Sequence, residues 1–426
     1  MIQFCRQVGA GITLSFFLFP IGFTFLPPTL NTKLLLAVLG VLLLGLEFIN
    51  RNQITFSKRF IGAFLFTLVF SGVCWFSSDY NQVIDNSYST YFGSFLIWVL
   101  SAFTAIYTIK QVQGEVSWRI LTYYLAAVCA MQCLSALLID RILVVQLFVD
   151  SYIDIGQAFM QEVDRLYGLG AALDTAGVRF CVVLIMIAAI ISKEERTRAN
   201  SSHLILLLSA FFIIVVVGNM ISRTTSVGSI MALGYLLLNT GLFRLVIHHK
   251  YFRFYAVFGV IFLAGIGLSI YLYQTDDSFY SNIRFAFEGF FNWVEKGEWE
   301  TGSTTKLNEE MWVWPEDLQT WIIGSGRFGS FIYSTDIGYC RFILYCGLIG
   351  FSIFSLFFVY LAYSYGRNNK QYWDLFLMLL LLTFIIWIKV STDLFFIYAL
   401  LLSVDLINDS FTSSTQKKNE NRLLYT

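Results

Sequence analysis

The chain has 426 residues, of which 57% are apolar, 18% aromatic and 13% charged, with a mean hydropathy of +0.68. That composition excludes a soluble multidomain protein, because the apolar surface exceeds what one core can bury and the excess must face lipid. Lysine plus arginine balances aspartate plus glutamate at 28 each, which excludes a strongly basic nucleic-acid binder and an acidic tail protein.

In chain order, apolar runs near the length that crosses about 30 Å of hydrocarbon recur at 8–26, 34–49, 60–76, 91–109, 120–139, 171–191, 203–222, 226–246, 254–273, 337–363, 373–390 and 392–408. The expectation is an all-α integral membrane protein of about twelve transmembrane helices, within one or two, since the second and last runs are short and the break at 390–392 is the weakest. Arg6 leads into the first run without a small-residue cleavage site, so no signal peptide is expected. Residues 1–408 read as one polytopic membrane domain, and 409–426, rich in Ser, Thr, Asn and Lys, as a disordered cytoplasmic tail. If the N-terminus is inside, the loops carrying Lys58 and Arg59, Lys110 and Arg119, Lys193, Arg196 and Arg198, Arg244, Lys250 and Arg253, and Arg367 and Lys370 are all inside. The positive-inside rule then predicts an N-in, C-in topology. Two outer segments, 140–170 and 274–336, are long and are the expected extracytoplasmic working parts. No internal repeat is visible, which argues against a transporter of two related halves. The 7 cysteines form no CxxC pair and read as small residues of the membrane core.

The cations outside the inside loops are Lys33, Arg141, Arg165, Arg179, Arg223, Arg284, Lys296, Lys306, Arg327, Arg341 and Lys389. Arginine rather than lysine predominates, as a planar, bidentate grip on phosphate or carboxylate oxygens requires. Arg179, Arg223, Arg341 and Lys389 fall within or at the outer ends of apolar runs. At such depth each costs on the order of 2.5 to 3.5 kcal/mol unless it meets a polar cavity or a partner. Asp174, Asp336 and Asp393 are the candidate partners. Together these charges predict an outward-facing anion site. A lipid-linked pyrophosphate, with its charge at headgroup level and its tail in hydrocarbon, fits such a site.

Three segments concentrate the chemistry. Arg165-Leu-Tyr-Gly168-Leu-Gly170 precedes Asp174 and Arg179; Ser222-Arg223-Thr224-Thr225 forms a tight turn between two runs; Gly324-Ser-Gly326-Arg327-Phe-Gly329 leads to Asp336, Gly338, Tyr339 and Arg341. Glycines let a backbone approach a ligand closely, and a neighbouring arginine adds charge-assisted hydrogen bonds. Gly347 and Gly350, further along, read as helix-packing positions. The loop 274–336 also holds Trp293, Trp299, Trp312, Trp314 and Trp321, interleaved with glutamates. Aromatic faces flanked by carboxylates suit hexose rings, and with Tyr339 they are the candidate glycan contacts; an interfacial amphipathic helix seated by its aromatics is the other reading.

In this order and on this layout, the three segments resemble the arginine and glycine motifs of the O-antigen polymerase and ligase superfamily of bacterial envelope glycosyltransferases. The resemblance covers most of the chain in layout and about 50 residues in motif. It implies a GT-C-like polymerase/ligase architecture with a large periplasmic loop, in a bacterial inner membrane. Ligases of this kind carry a histidine near the position of Asp336, whereas His203, His248 and His249 all fall on the cytoplasmic side, so a Wzy-type polymerase is the better match.

The implied reaction transfers glycan from undecaprenyl pyrophosphate onto the sugar of another lipid-linked repeat unit, with membrane lipid, and a chain-length regulator protein where one acts, as partners. It needs the departing pyrophosphate stabilised and the acceptor hydroxyl deprotonated. Arg165, Arg179, Arg223, Arg327 and Arg341 are the candidates for the first, and Arg165 and Arg223 are also assigned catalytic roles. Asp336 is the preferred base over Glu162, Asp164, Glu309, Glu310 and Asp317, unless it serves as a helix cap or as an ion-pair partner of Arg341. No metal-ligand pattern is present on the outer side and no cofactor is expected, so arginine charge would take the place of a metal. A lipid-linked oligosaccharide flippase is the alternative of a different class; it predicts cations through the membrane centre and two similar halves.

Overall fold

The computed structural model describes residues 2–154, 165–240 and 251–408. Its principal helices are α1 (Ile2–Leu18), α2 (Thr32–Arg51), α3 (Lys58–Tyr80), α4 (Tyr91–Gln113), α5 (Trp118–Arg141), α6 (Leu143–Tyr152), α7 (Leu173–Lys193) and α8 (Ser201–Ile221). There follow α9 (Thr225–Thr240), α10 (Phe252–Thr275), α11 (Asp277–Ala286), α12 (Glu288–Lys296), α13 (Gly302–Glu310), α14 (Gly338–Asn368), α15 (Trp373–Ile386) and α16 (Phe395–Asn408). Among the described residues eight helices, α2 to α5, α7, α8, α10 and α14, are long and apolar enough to cross a membrane. The chain is an all-α, multi-pass membrane protein. The other four apolar runs hold the shorter helices α1, α9, α15 and α16.

Helix starts follow capping chemistry. Asn31, Ser57, Ser117 and Asp276 each accept a backbone N–H of the first turn of α2, α3, α5 and α11, respectively. Two boundaries differ from the hydropathy reading. The run 8–26 carries α1 only to Leu18, because Pro20 lacks the N–H and disfavours helical backbone before it. Gly22–Phe23 then pairs antiparallel with Ile153–Asp154. The break expected at 390–392 spans 387–394 and places Lys389 on a turn rather than on a helix end.

A helix that is apolar on every face is surrounded by others. α7 is that helix: Phe180 and every residue from Cys181 to Ser192 are buried. α5, α8 and α9 pack around it. Two glycines set the closeness of α9 and the turn before it. A Cβ on Gly228 would lie 2.2 Å from the Cys181 Cα, and one on Gly177 2.6 Å from the Ser222 Oγ. The Ser222-Arg223-Thr224 turn is thereby pressed onto the first turns of α7, beside Asp174.

Ion pairs form at both ends of the bundle. Arg59–Asp405 and Lys193–Asp374 join residues at one end of the bundle. Arg141–Asp276, Arg223–Glu288, Arg284–Glu295 and Lys389–Asp174 join residues at the other. Between α10 and α14 lie the short helices α11, α12 and α13, which build the Arg223 end. The segment 241–250, with Arg244, His248, His249, Lys250 and the end of the 226–246 run, lies outside the described residues, as do Glu162, Asp164 and the 409–426 tail.

Candidate functional site

Arg165 and Arg223 come from different parts of the chain and meet on one aromatic ring. Their guanidinium carbons lie 5.1 and 4.4 Å, respectively, from the centroid of Phe285 on α11. The Arg223 guanidinium donates to the Glu288 carboxylate at the start of α12, and its side chain is 17% exposed. The Nε of Arg165 is buried and has no hydrogen-bond partner among the described residues. Burial holds the Arg165 guanidinium below its usual range, with Asp174 pulling it up and Arg223 pushing it down. Two cations thus share one ring, and the Glu288 carboxylate binds Arg223 alone. That arrangement leaves hydrogen-bond donors available to an anion.

Beneath them Asp174 accepts from the Ser222 hydroxyl at 2.9 Å, from Thr224 Oγ1, and from the Lys389 ammonium at 3.1 Å. Lys389 also donates to Thr224 Oγ1 at 2.9 Å. This network fixes the turn that carries Arg223. Asp174 and Lys389, two of the charges expected to find partners, are partners of each other.

Asp336 is exposed at the entry to α14. It does not cap that helix, whose N-cap is Ile337 without a side-chain bond. Nor does it pair with Arg341, whose guanidinium donates to Ser391 Oγ at 3.0 Å and to the Phe328 carbonyl at 2.8 Å and lies 4.0 Å from the Phe328 ring centroid. Desolvation pushes the Asp336 carboxyl above the usual carboxylate range, Arg341 opposing it; Asp174, Lys389 and Lys306 are its further charged neighbours.

The remaining candidates are set apart. Arg179 is part-buried beside the rings of Phe19 and Phe396, at 5.6 and 6.0 Å, and donates to the Thr175 carbonyl at 3.1 Å. Its charged neighbour is Asp393, which accepts from the Tyr91 hydroxyl at 3.0 Å and the Phe395 N–H at 2.8 Å. Arg327 is exposed. The glycine segment around it packs as structure rather than as a phosphate cradle. Ser325 and Gly326 donate their N–H groups to the carbonyls of Leu344 and Tyr345 at 2.7 and 3.0 Å. Phe328 and Gly329 donate theirs to Asp85 at 2.7 and 2.8 Å. Burial raises the Asp85 carboxyl, but these amides and Ser87 outweigh it and hold the group below the usual range. Gly347, at φ 64°, interrupts helical geometry within α14 where the Ile322–Ile323 backbone presses in; a Cβ there would sit 2.2 Å from the Ile322 carbonyl oxygen.

Of the aromatic candidates, Trp293 and Trp299 are exposed on and after α12, with Trp299 lying over Gly289. Trp312, Trp314 and Trp321 form a stack with successive centroids 5.7 Å apart. The stretch of chain bearing Trp312 is tied to the Asp336 region, since Thr335 Oγ1 donates to the Met311 carbonyl. Tyr339 departs from the expectation. Its hydroxyl donates to the Phe384 carbonyl at 2.9 Å and its ring meets Trp387 edge-on, so it packs α14 against α15 instead of facing a glycan.

Sequence reasoning missed Phe285, Glu288 and Asp85 as site-forming residues. Glu288 was legible only as one of several loop glutamates, and nothing local distinguishes it, because Arg223 is 65 positions away. An open apolar groove of about 700 Å³ was also invisible in sequence; it runs between α8 and α10 from Phe211 and Phe262 up to Tyr273, Ile283 and Phe287. Comparison with family models, curated protein sequences and solved structures finds no match to this chain, so the site is read from its own residues.

Proposed function

We propose that the chain is a polysaccharide polymerase of the outer face of a bacterial inner membrane, transferring glycan from a polyprenyl-pyrophosphate carrier onto another lipid-linked repeat unit. One observation carries this reading. The segment 283–288 joins an open apolar groove to a cationic pair: Ile283 and Phe287 line the groove, while Phe285 takes both guanidinium groups and Glu288 binds one of them. A ligand that fills both must be a long apolar chain ending in an anion at the membrane surface.

In this proposal Arg165 and Arg223 hold the pyrophosphate and stabilise it as the bond from its oxygen to the anomeric carbon breaks. Asp336 takes the proton of the acceptor hydroxyl as the new glycosidic bond forms. It has no ion-pair partner among the described residues and its pKa is raised, which suits a base that must be free and basic enough to act. The tryptophan stack beside it offers ring faces for sugars. Arg341, bound to Ser391 and Phe328, supports the Asp336 region rather than the phosphates.

The test is a purified reaction on a lipid-linked repeat unit. The expected product is a ladder of oligomers from the wild type and none from Arg223→Ala. A flippase would give no ladder from either protein while still moving the lipid-linked unit across a vesicle membrane.

A further inference from the structure

Glu288 stands at a junction of three features. It opens α12, it accepts from Arg223, and its other carboxylate oxygen accepts the Gly302 N–H at 3.3 Å. It also lines a polar cavity of about 540 Å³ walled by α12 and α13, together with Asn292, Thr305, Lys306 and Glu309. We propose that Glu288 is a displaceable stand-in for the donor's phosphate, which couples donor binding to acceptor binding. The inference rests on the reading of Arg165 and Arg223 as the pyrophosphate site, and it adds an order to that site's filling.

A carboxylate and a phosphate cannot share one guanidinium without like-charge repulsion, which is felt more strongly near protein than in water. The arriving pyrophosphate therefore displaces the Glu288 oxygen from Arg223. The second oxygen remains tethered to the Gly302 N–H, so the group does not leave; it pivots. The freed oxygen then faces the polar cavity, where Asn292, Thr305 and Glu309 already present hydrogen-bonding groups. Saccharide hydroxyls need such acceptors. Donor binding thus completes the acceptor's cavity, and the donor binds first. The same charge makes the cavity unfavourable for a uronic acid and suited to neutral or amino sugars.

The experiment is titration calorimetry of the full-length protein in nanodiscs, with inorganic pyrophosphate and undecaprenyl pyrophosphate as probes. Glu288→Gln keeps the shape and the bond to Gly302 but removes the competing charge, so both probes are expected to bind about fivefold to tenfold more tightly. Glu288→Asp keeps the charge and gives no tightening. In steady-state turnover Glu288→Gln raises the KM for a neutral acceptor oligosaccharide while the donor KM falls. No tightening by Glu288→Gln, in a protein whose Arg223→Ala variant has lost pyrophosphate binding, overturns the stand-in role alone. Undiminished pyrophosphate binding by Arg223→Ala overturns the underlying site.

Discussion

Arg223 and Arg179 are the same residue type, and both enter from the same end of the bundle, yet their surroundings differ. Arg223 sits on a tight turn held by Asp174, Lys389 and Thr224, and its partner Glu288 opens a short helix and lines the polar cavity. Arg179 lies near the start of α7, between Phe19 and Phe396, with its Nε buried and without a partner among the described residues. The difference teaches that depth along a helix does not by itself make a charge a candidate for the proposed anion site. Both side chains are part-buried; Arg223 is held by a carboxylate that a stronger anion can displace, Arg179 by a backbone carbonyl and two rings.

The sharpest way to break this comparison is to remove each charge in turn. Arg223→Ala is expected to lower turnover roughly 10³-fold, read as loss of the oligomer ladder, because it deletes charge stabilisation of the leaving group. Asp336→Asn comes next, with kcat down roughly 10²-fold and donor KM nearly unchanged. Equal loss of both would make Asp336 a structural residue. Its pH dependence has a definite sign. If Asp336 is the proposed base, the carboxylate is the working form; desolvation raises its pKa, so wild-type turnover is expected to fall on acidification at a pH above the ordinary Asp value of about 3.9. An acid limb at that ordinary value, or one that persists in Asp336→Asn, would assign the titration elsewhere.

Smaller effects sharpen the contrast. Asp85→Ala leaves the Phe328 and Gly329 N–H groups without their acceptor and is expected to cost about 1–3 kcal/mol, measured as a lowered unfolding midpoint in detergent. Because the folded-state pKa of Asp85 is depressed, its stabilisation is present above the unfolded value and is lost as pH falls through the folded one. Arg179→Met is the mildest change. A part-buried cation without a carboxylate ion pair among the described residues, replaced by an apolar chain of similar length, is expected to preserve pyrophosphate affinity within about threefold, with stability near neutral, since desolvation offsets much of what such a charge contributes. Loss of affinity comparable to Arg223→Ala would merge the two arginines into one site.

Much of the fold was legible because lipid imposes simple rules. Each apolar run holds a helix, and eight of those helices are long and apolar enough to cross a membrane. Helix ends were less legible where a local effect outweighed hydropathy, as at Pro20 and at the turn bearing Lys389. In the site, Arg165 and Arg223 were visible as cations in places topology does not favour. The glycine segment misled, because Gly324, Gly326 and Gly347 serve close backbone packing and its free amides go to Asp85 and to carbonyls of α14. Tyr339 misled for a related reason: spacing does not reveal that its hydroxyl reaches the Phe384 carbonyl.

By itself the sequence determined that this protein lives in a membrane, that it is helical, and that unusual cations gather toward one face. Those properties follow from composition and local period, since hydrocarbon tolerates neither unpaired backbone nor stray charge. Only the tertiary structure decided which charges meet. Arg165, Arg223, Phe285 and Glu288 come together through the packing of α9 on α7 and of α11 on α8 and α10, and contacts between distant segments leave no trace in the spacing of any one of them.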